Sequence, residues 1–343
     1  MTSLQDIAQE LNVSVSLVSK VLSGRMSTSG ASPRTAQAIR AKARELGYRP
    51  NRAASALASG RQQVLGVFLH RTGTRGSGLT ASLLGGISRA AAEADQRLWL
   101  EFFQTTQQFR RRQPDIHRSD VDGMIVGGIA HSELAPELLR AEAAGVPIVT
   151  VHEAGIHPEL PNVGADQSAG IAMATAHLLE QGVRRPMLIG VAPDVSDATE
   201  RAIRAGFERA LAGRGMTVSR EQVFHLEGGG YTYEAGAAAV AHWLERGLSF
   251  DGIVAVSDLQ ALGAMHTLLR RGVSIPEQVK LVGVDNSPLA EAAIVPLSSI
   301  CKRYEQRGRM AVQMLMKRID GQDVESVTIT PTLYPRASSL AAG

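Results

Sequence analysis

The strongest constraint on the fold is a regular alternation of β-rich and helical segments from Val64 to Ile319. The predicted strands are short apolar runs, many of them rich in β-branched residues: Val64–Leu69, Leu98–Phe103, Gly123–Gly127, Pro147–Val151, Met187–Val191, Gln222–Leu226, Gly252–Val256 and Lys280–Val284. Segments with helical periodicity lie between or after them: Thr80–Ala94, Ala165–Glu180, Ala198–Ala212, Tyr233–Arg246, Asp258–Arg271 and Glu305–Ile319. This order predicts an α/β body of two doubly wound halves, each a parallel sheet covered by helices, which divide near residues 160–164. Ligands of such folds bind at the carboxyl ends of the strands, in the cleft between the halves.

The first 62 residues differ from the rest of the chain in charge. They hold nine of the 36 Lys and Arg residues but only three of the 33 Asp and Glu residues, a net charge of +6 in a chain whose total is +3. A small basic head on a mildly acidic body suggests that the head binds a polyanion. A basic surface that is merely solvated gives the same count, so charge alone does not decide between these two interpretations.

The head has the pattern of a helix-turn-helix. Ser3 and Asp6 have the spacing of a capping box, and the helix that follows has one apolar face. Ser14 is placed to cap a second helix that ends near Leu22. The buried stripe of this second helix is aliphatic. Its outer face is small and polar with one cation: Ser16, Ser19 and Lys20.

A third helix strengthens this interpretation, because two short amphipathic helices alone are more often ordinary core elements. Ser32 caps this helix, Pro33 takes its first position and Gly47 ends it. Its apolar face can close a three-helix core. Arg40 and Arg44 lie off that face, where phosphates could reach them.

A short Ala-rich segment follows, at about residues 51–59. Pro50 ends the preceding segment, and Asn51 can cap a helix there. Leu57 is the one large apolar side chain of this helix. One interpretation is a hinge helix that contacts DNA, and the alternative is a linker helix whose Leu57 packs on the body.

Three motifs of the head resemble the lactose/galactose repressor (LacI/GalR) family in order and spacing: Leu4–Ala8, Asn12–Leu22 and Leu46–Asn51. The similarity continues through the rest of the chain. It implies a DNA-binding domain over residues 1–60, which includes the hinge helix, and an effector-binding and dimerisation domain over residues 61–343. The loop from Ser23 to Ser32 is a few residues longer than the usual connection, which puts in doubt the phosphate contacts near Arg25.

The resemblance implies that the second helix enters the major groove and reads base edges. The matching positions are Val15, Ser16, Ser19 and Lys20. A serine hydroxyl can donate or accept, Val15 offers apolar contact such as that to a thymine methyl group, and Lys20 can reach guanine. In the hinge helix, which enters the minor groove, Leu57 wedges into the central base step. Asn51 and the small Ala54 are the other implied contacts of this helix.

For the body, the resemblance implies a periplasmic-binding-protein-like fold. The chain then crosses between the halves three times and returns near residues 290–300 and 320–327. Seven candidate effector residues match family positions: His70, His152, Tyr231, Ser257, Asp285, Lys302 and Tyr304. Arg201, on the predicted helix Ala198–Ala212, is an eighth candidate that lies near a family position without matching it. Among these, Asp285 is a candidate acceptor for paired hydroxyls and Tyr231 can stack on an effector ring. Asp258 is expected to cap the helix that it begins.

One position departs from the family pattern. Ile203 stands where the family usually has an effector-binding Arg, and the nearby Arg201 and Arg204 project at other angles from the helix. The two cleft histidines and Lys302 make the cleft less like a plain hexose site, and an anionic or phosphorylated ligand would suit them. These features weaken the usual sugar interpretation. We still expect a sugar or sugar derivative, and a non-sugar ligand such as a purine is the alternative.

Other function classes lack the residues that they need. Cys301 is the only cysteine, which excludes an internal disulfide and a cysteine-built zinc site, and the nine histidines show no metal-binding spacing. Phosphate-loop and nucleophile-elbow motifs are absent from the sequence. No apolar run approaches the roughly 20 residues of a membrane-spanning helix, and the N-terminus has no signal-peptide pattern. We therefore expect no cofactor, no metal, no membrane partner and a cytoplasmic location.

The sequence thus predicts a transcription regulator and not an enzyme. We expect a repressor that binds a pseudo-palindromic operator in double-stranded DNA as a homodimer and responds to a small-molecule effector. A solute-binding protein would share the body but needs a signal peptide and no basic head. A sugar-modifying α/β enzyme would need a convergent acid–base set, for which only Asp285 and the two cleft histidines are available.

Overall fold

In the computed structural model, the described residues are 2–22, 31–48, 60–70, 79–112, 120–128, 132–228 and 230–340. The chain divides into two compact units, Met1–Gln62 and Gln63–Gly343. Within the described ranges, no helix combines the length and the hydropathy that a membrane span requires.

In its described part, the first unit packs three helices around a small aliphatic core. These helices are α1 (Leu4–Glu10), α2 (Val15–Leu22) and α3 (Pro33–Glu45). The hydroxyl of each predicted cap, Ser3, Ser14 and Ser32, accepts a hydrogen bond from a backbone N–H group of the first turn at 3.1–3.3 Å. The buried core consists of Ile7, Ala8, Val18, Val21, Ala36, Ile39 and Ala43. The predicted helix-turn-helix with a third, closing helix is confirmed.

In its described part, the second unit contains one larger sheet in each half and a third sheet of only two parallel strands, β5 (Val163–Ala165) and β11 (Val327–Ile329). The first sheet has the order β2-β1-β3-β4, with β1 (Val64–His70), β2 (Arg97–Phe103), β3 (Gly123–Gly127) and β4 (Ile148–Val151). Its helices are α4 (Leu79–Glu93), α5 (Thr106–Arg112), α6 (Ala135–Ala143) and α12 (Tyr304–Ile319), the last of which returns from the second half. Apolar side chains are buried on both faces of the sheet, as expected of parallel strands between helices.

The second sheet has the order β12-β10-β9-β8-β6-β7, and only β12 is antiparallel to its neighbour. Its strands are β6 (Pro186–Ile189), β7 (Val223–Phe224), β8 (Gly252–Ala255), β9 (Lys280–Val284), β10 (Ser298–Cys301) and β12 (Thr332–Tyr334). Its helices are α7 (Gln167–Glu180), α8 (Pro193–Ala212), α9 (Tyr233–Glu245), α10 (Asp258–Arg270) and the short α11 (Pro288–Glu291). The carboxyl ends of its parallel strands therefore share one edge, as do those of the first sheet.

Within the described residues, the chain passes between the halves three times. The return to the first half, predicted near residues 290–300, follows Cys301, because β10 still pairs in the second sheet. The last crossing, predicted near residues 320–327, follows Ile329, because β11 pairs with β5 before β12 joins the second sheet.

Helix α12 packs on the first half although it follows the second sheet in the chain. It lies against α4 at Gly86 and Gly308, where an added Cβ atom would collide with a backbone carbonyl of the facing helix. Glycine is needed at both positions because the two helix backbones touch there. This close packing fixes the first turn of α12, which carries Tyr304 and Arg307, at the place where the halves meet.

Candidate functional site

Helix α2 presents four neighbouring side chains on the outside of the first unit. Val15 is 41% exposed, and Ser16, Ser19 and Lys20 are also exposed, while aliphatic residues of the opposite face are buried in the core. The B-DNA major groove is wide enough to admit an α-helix. A face of small side chains with one cation fits this groove and can contact base edges.

The cations of α3 differ in their surroundings. Lys42 lies 3.0 Å from Glu45 and 3.7 Å from Glu10, so its charge is paired with carboxylates of the first unit itself. Arg40 and Arg44 are exposed. They are therefore better placed than Lys42 to meet phosphates.

Three of the predicted DNA contacts belong to the hinge segment. These residues, Asn51, Ala54 and Leu57, lie outside the described residues, as does Arg25. Their roles stay predictions from the sequence.

A second group of polar side chains, buried or half-buried, lies where the two halves meet. Lys302, which follows β10, is 5% exposed, and its Nζ lies 3.6 Å from Oδ1 of Asp285 and 3.5 Å from Oε1 of Glu153. It also donates a hydrogen bond of 3.2 Å to Oε1 of Gln167. Asp285 follows β9 in the second half, whereas Glu153 follows β4 in the first half. Lys302 therefore links the two halves by charge.

Glu153 is the shared acceptor of the first half. Its Oε1 accepts hydrogen bonds from the Tyr304 hydroxyl at 2.9 Å and from Nη1 of Arg307 at 3.2 Å. The Arg307 guanidinium and the Lys302 ammonium lie 4.8 and 5.5 Å from the centre of the Tyr304 ring, within cation–π range. We call this group the junction cluster: Glu153, Gln167, Asp285, Lys302, Tyr304 and Arg307.

Burial and charge pairing shift proton affinities in the junction cluster. Burial alone would raise the pKa of Glu153, but the charges of Lys302 and Arg307 lower it to about 2. Burial alone would lower the pKa of Lys302, but Glu153 and other neighbours raise it well above its ordinary value. Both groups are therefore ionised at neutral pH. Burial raises the pKa of Asp285 well above the usual range, and the charge of Lys302 opposes this rise.

Tyr231 lies beside the junction cluster and is half-buried. Burial raises the pKa of its hydroxyl to about 12, so the group stays protonated at neutral pH. Ser257 is fully buried, accepts a hydrogen bond from the backbone N–H of Gln260 at 3.2 Å and donates one to the Tyr231 carbonyl at 3.4 Å. Ser257 therefore positions Tyr231 and does not present its hydroxyl to a ligand.

The prediction that Asp258 caps α10 is wrong, because Ser257 is the cap. Asp258 is 2% exposed and accepts hydrogen bonds from the backbone N–H of Ser287 at 2.7 Å and from its hydroxyl at 2.8 Å. It also accepts a bond of 2.6 Å from the Ser299 hydroxyl. Through these hydrogen bonds, Asp258 stabilises the turn that carries Asp285.

This turn has an unusual backbone. Asp285 and Asn286 have φ angles of 116° and 50°, a region that residues with a side chain rarely adopt. The turn is held by a bond of 2.7 Å from the Asp285 N–H to the Ile300 carbonyl and one of 2.9 Å from the Asn286 N–H to the Ser299 hydroxyl. Such strain persists where the surroundings over-determine it, and it is common at ligand sites.

His70 and His152 lie at the carboxyl ends of β1 and β4. Nε2 of His70 donates to the Gln104 carbonyl at 3.0 Å, and Nδ1 of His152 donates to the Gly128 carbonyl at 2.9 Å. A carbonyl only accepts, so each of these ring nitrogens carries the hydrogen. In the neutral ring, the other nitrogen is then an acceptor.

The structure does not bring Arg201 into the junction cluster. Arg201 is exposed on α8, whereas Ile203 is buried in the core of the second half. Two positions along an α-helix turn by about 200°, which explains why these neighbours face opposite ways. Arg204 forms an ion pair with Glu200 at 3.1 Å. Neither arginine replaces the one that the family usually has at the position of Ile203.

No sequence pattern marks Glu153, Gln167 or Arg307 as members of a site. Glu153 directly follows the predicted His152, and Arg307 lies one turn after the predicted Tyr304, so proximity to these residues was the only signal. Their hydrogen-bond partners in the cluster are 135 to 154 residues away along the chain. Among the described residues, no group of three His, Cys, Asp or Glu side chains is arranged to hold a metal ion.

Comparison with known proteins matches both units. Residues 3–51 match the lacI family of bacterial regulatory proteins, and residues 175–339 match the periplasmic binding protein-like domain. The transcriptional regulator CelR of Thermobifida fusca is 30% identical over 95% of this chain and 94% of its own length.

Two solved structures extend the comparison. The complex of the transcriptional regulator CelR with cellobiose has a TM-score of 0.72 and 28% identity, over 98% of this chain and 100% of that one. The lac repressor dimer bound to operator and the anti-inducer ONPF has a TM-score of 0.81 and 21% identity, over 99% of each chain. These matches confirm the predicted head and the periplasmic-binding-protein-like body. They also confirm the prediction of a transcription regulator instead of an enzyme. The chain belongs to the lacI family of DNA-binding transcriptional regulators.

Proposed function

We propose that the protein is a repressor that binds its operator as a homodimer and responds to a sugar or sugar derivative held at the junction cluster. One observation carries the ligand assignment. Oδ1 of Asp285 is buried at a strained turn and has no hydrogen-bond partner among the described residues, although Lys302 lies 3.6 Å away. A buried carboxyl oxygen in this position is suited to accept a ligand hydroxyl, since an unsatisfied buried acceptor is costly.

The likeness to CelR supports a sugar ligand. That relative is bound to cellobiose in its solved structure, and the likeness covers nearly the whole of both chains. Lys302, which lies beside Asp285, has partners from both halves of the body: Asp285 in the second half and Glu153 in the first. A hydroxyl-rich ligand that contacts these groups would therefore change the relation of the halves, which is the regulatory step that we propose.

The test is operator binding with and without sugars. An operator is selected from random DNA with the full chain, and its dissociation constant is measured by fluorescence anisotropy at fixed salt. A sugar that binds the body should shift this constant, and Asp285→Asn should abolish the shift without weakening operator binding. Asn tolerates a positive φ, so this variant keeps the turn. A shift caused by purines and by no sugar would overturn the assignment.

Repression is the second part of the proposal. The likeness to the lac repressor supports it. We also propose a cytoplasmic location, because the matched family consists of bacterial regulatory proteins and operator DNA lies in the bacterial cytoplasm. A reporter gene whose promoter overlaps the selected operator should be transcribed less when the protein is present. Increased transcription would mean that the protein activates.

We propose that the homodimer forms through exposed apolar side chains that occur in both halves. Leu100 and Phe102 are 42% and 45% exposed on β2, the edge strand of the first sheet, and Ile294 is 73% exposed in the second half. An open strand edge and exposed large apolar side chains are typical of surfaces that a partner covers. Phe102→Glu and Ile294→Glu should each shift the chain towards the monomer in light scattering. Leu340→Glu, at an exposed apolar residue near the C-terminus, is the matched control.

A further inference from the structure

We infer that the ligand of the junction cluster is an uncharged, polyhydroxylated molecule and that Glu153 is the residue that disfavours anionic ligands. The inference rests on the proposed function and narrows its ligand class. It follows from the way in which the charges of the junction cluster are paired and from the kind of polar atom that stays without a partner.

Each cation of the junction cluster already has a carboxylate beside it. Lys302 has two, Asp285 at 3.6 Å and Glu153 at 3.5 Å, and Arg307 lies 3.2 Å from Glu153. Arg307 is 1% exposed and lies against the Tyr304 ring. Its buried charge therefore stabilises the Glu153 carboxylate. An anionic ligand could pair with Lys302 only by displacing a carboxylate, which would leave that carboxylate buried with weaker compensation.

Three buried side-chain atoms of this region have no hydrogen-bond partner among the described residues, and all three are acceptors. They are Oε2 of Glu153, Oδ1 of Asp285 and Oε1 of Gln260. The Gln260 amide is fixed in orientation, because its nitrogen donates to the carbonyls of Gly190 and Gly230 at 3.0 and 3.1 Å. These acceptors need donors from a ligand. A hydroxyl supplies one, whereas an ionised carboxylate supplies none.

Protonation of Asp285 does not change this conclusion. Burial raises the pKa of this group, and a protonated carboxyl offers one donor and one acceptor, which again suits a hydroxyl. Lys302 stays balanced by Glu153, because the pKa of Glu153 is about 2.

The test measures matched pairs of ligands on the full chain by isothermal titration calorimetry. Each pair differs in charge: cellobiose with cellobionic acid, glucose with glucose 6-phosphate, and galactose with galactose 6-phosphate. In every pair that binds, we expect the uncharged member to bind at least about tenfold more tightly, because like charges at an interface repel strongly.

A pair of variants assigns the preference to Glu153. Glu153→Gln keeps the acceptor oxygen for Tyr304 and Arg307 but removes the charge beside Lys302. We expect it to raise the affinity of the anionic member relative to the uncharged one by at least about tenfold. Glu159→Gln makes the same charge change at an exposed position of the same segment, and it should leave the preference unchanged.

The outcomes separate this inference from the proposed function. Tighter binding of the anionic member by the wild-type chain would overturn the inference while keeping a sugar-type ligand. An unchanged ratio in a folded Glu153→Gln variant would overturn the role of Glu153. If that variant does not fold, the wild-type ratios still decide the ligand class. Binding of purine bases and of no member of any pair would overturn both the inference and the sugar assignment.

Discussion

Asp258 is a buried carboxyl that holds a turn together, and its burial makes folding sensitive to pH. Burial raises its pKa from 3.8 to about 6, although the hydrogen bonds from Ser299 and Ser287 oppose the rise. The folded protein therefore binds this proton more tightly than the unfolded chain. The stability from this group is fully present below about pH 4, is lost as the pH rises to about 6, and changes little above that.

Asp258→Asn should remove this part of the pH dependence. Between about pH 4 and pH 6, the free energy of unfolding of the wild type relative to the variant should fall by on the order of 2–3 kcal/mol. Denaturant titrations at several pH values measure this difference. Asp323→Asn, at an exposed carboxyl, is the control and should keep the wild-type slope. Parallel curves for the wild type and Asp258→Asn would contradict the pKa shift.

The exposed residues of α2 and α3 are expected to serve DNA binding in different ways. Ser16→Ala and Lys20→Ala should change which base pairs are preferred in one half-site, because a lost base contact costs roughly 1–3 kcal/mol. Arg40→Ala should weaken binding nearly equally for every sequence, since phosphates carry no sequence information. Binding to a set of operators with single substitutions separates the two patterns. Uniform weakening by the α2 variants would mean that they contact only phosphate.

At the scale of elements, the contact between α4 and α12 offers a matched pair of neighbouring glycines. A Cβ atom on Gly86 would collide with the backbone of α12, whereas one on Gly85 would meet only the end of the Arg89 side chain at 3.8 Å. Gly86→Ala should therefore destabilise the body by about 1–3 kcal/mol. Gly85→Ala should stabilise it by about 0.5–1 kcal/mol, because alanine favours the helix. Denaturant unfolding measures both, and equal effects would contradict the close packing.

The elements that sequence patterns predict are those whose signal is local. The caps Ser3, Ser14 and Ser32 and the long β/α alternation depend on neighbouring residues, and both were predicted correctly. Strands of three or four residues, such as β5, β10 and β11, are too short to show a periodicity. The pairing of these short strands is decided by residues that are distant in the chain. The crossing points could therefore be predicted only to within a few residues. Glu153 escaped prediction for the same reason, since the residues that bind it are about 150 positions away.

At the scale of the whole molecule, the junction cluster combines residues of both halves of the body with the segment that follows β10. Glu153 and Arg307 belong to the first half, Asp285 to the second, and Lys302 to the segment between them. A ligand that engages Asp285 therefore competes with contacts of both halves. A change in affinity between two arrangements of the halves is what an effector needs in order to shift their populations.

The basic head and the acidic body should separate in function when the chain is cut between them. The fragment 63–343 is one compact unit and should bind the sugar with the affinity of the full chain while binding no operator.

Operator binding by the full chain should weaken steeply with salt, because each neutralised phosphate releases a counterion. If a dimer contacts about six or more phosphates, affinity should fall by about a thousandfold or more between roughly 50 and 200 mM salt. Anisotropy titrations of both proteins at four salt concentrations test this, with random DNA as the control. Operator binding by the full chain that does not depend on salt would show that the head does not supply the phosphate contacts. Operator binding by the fragment 63–343 would show the same.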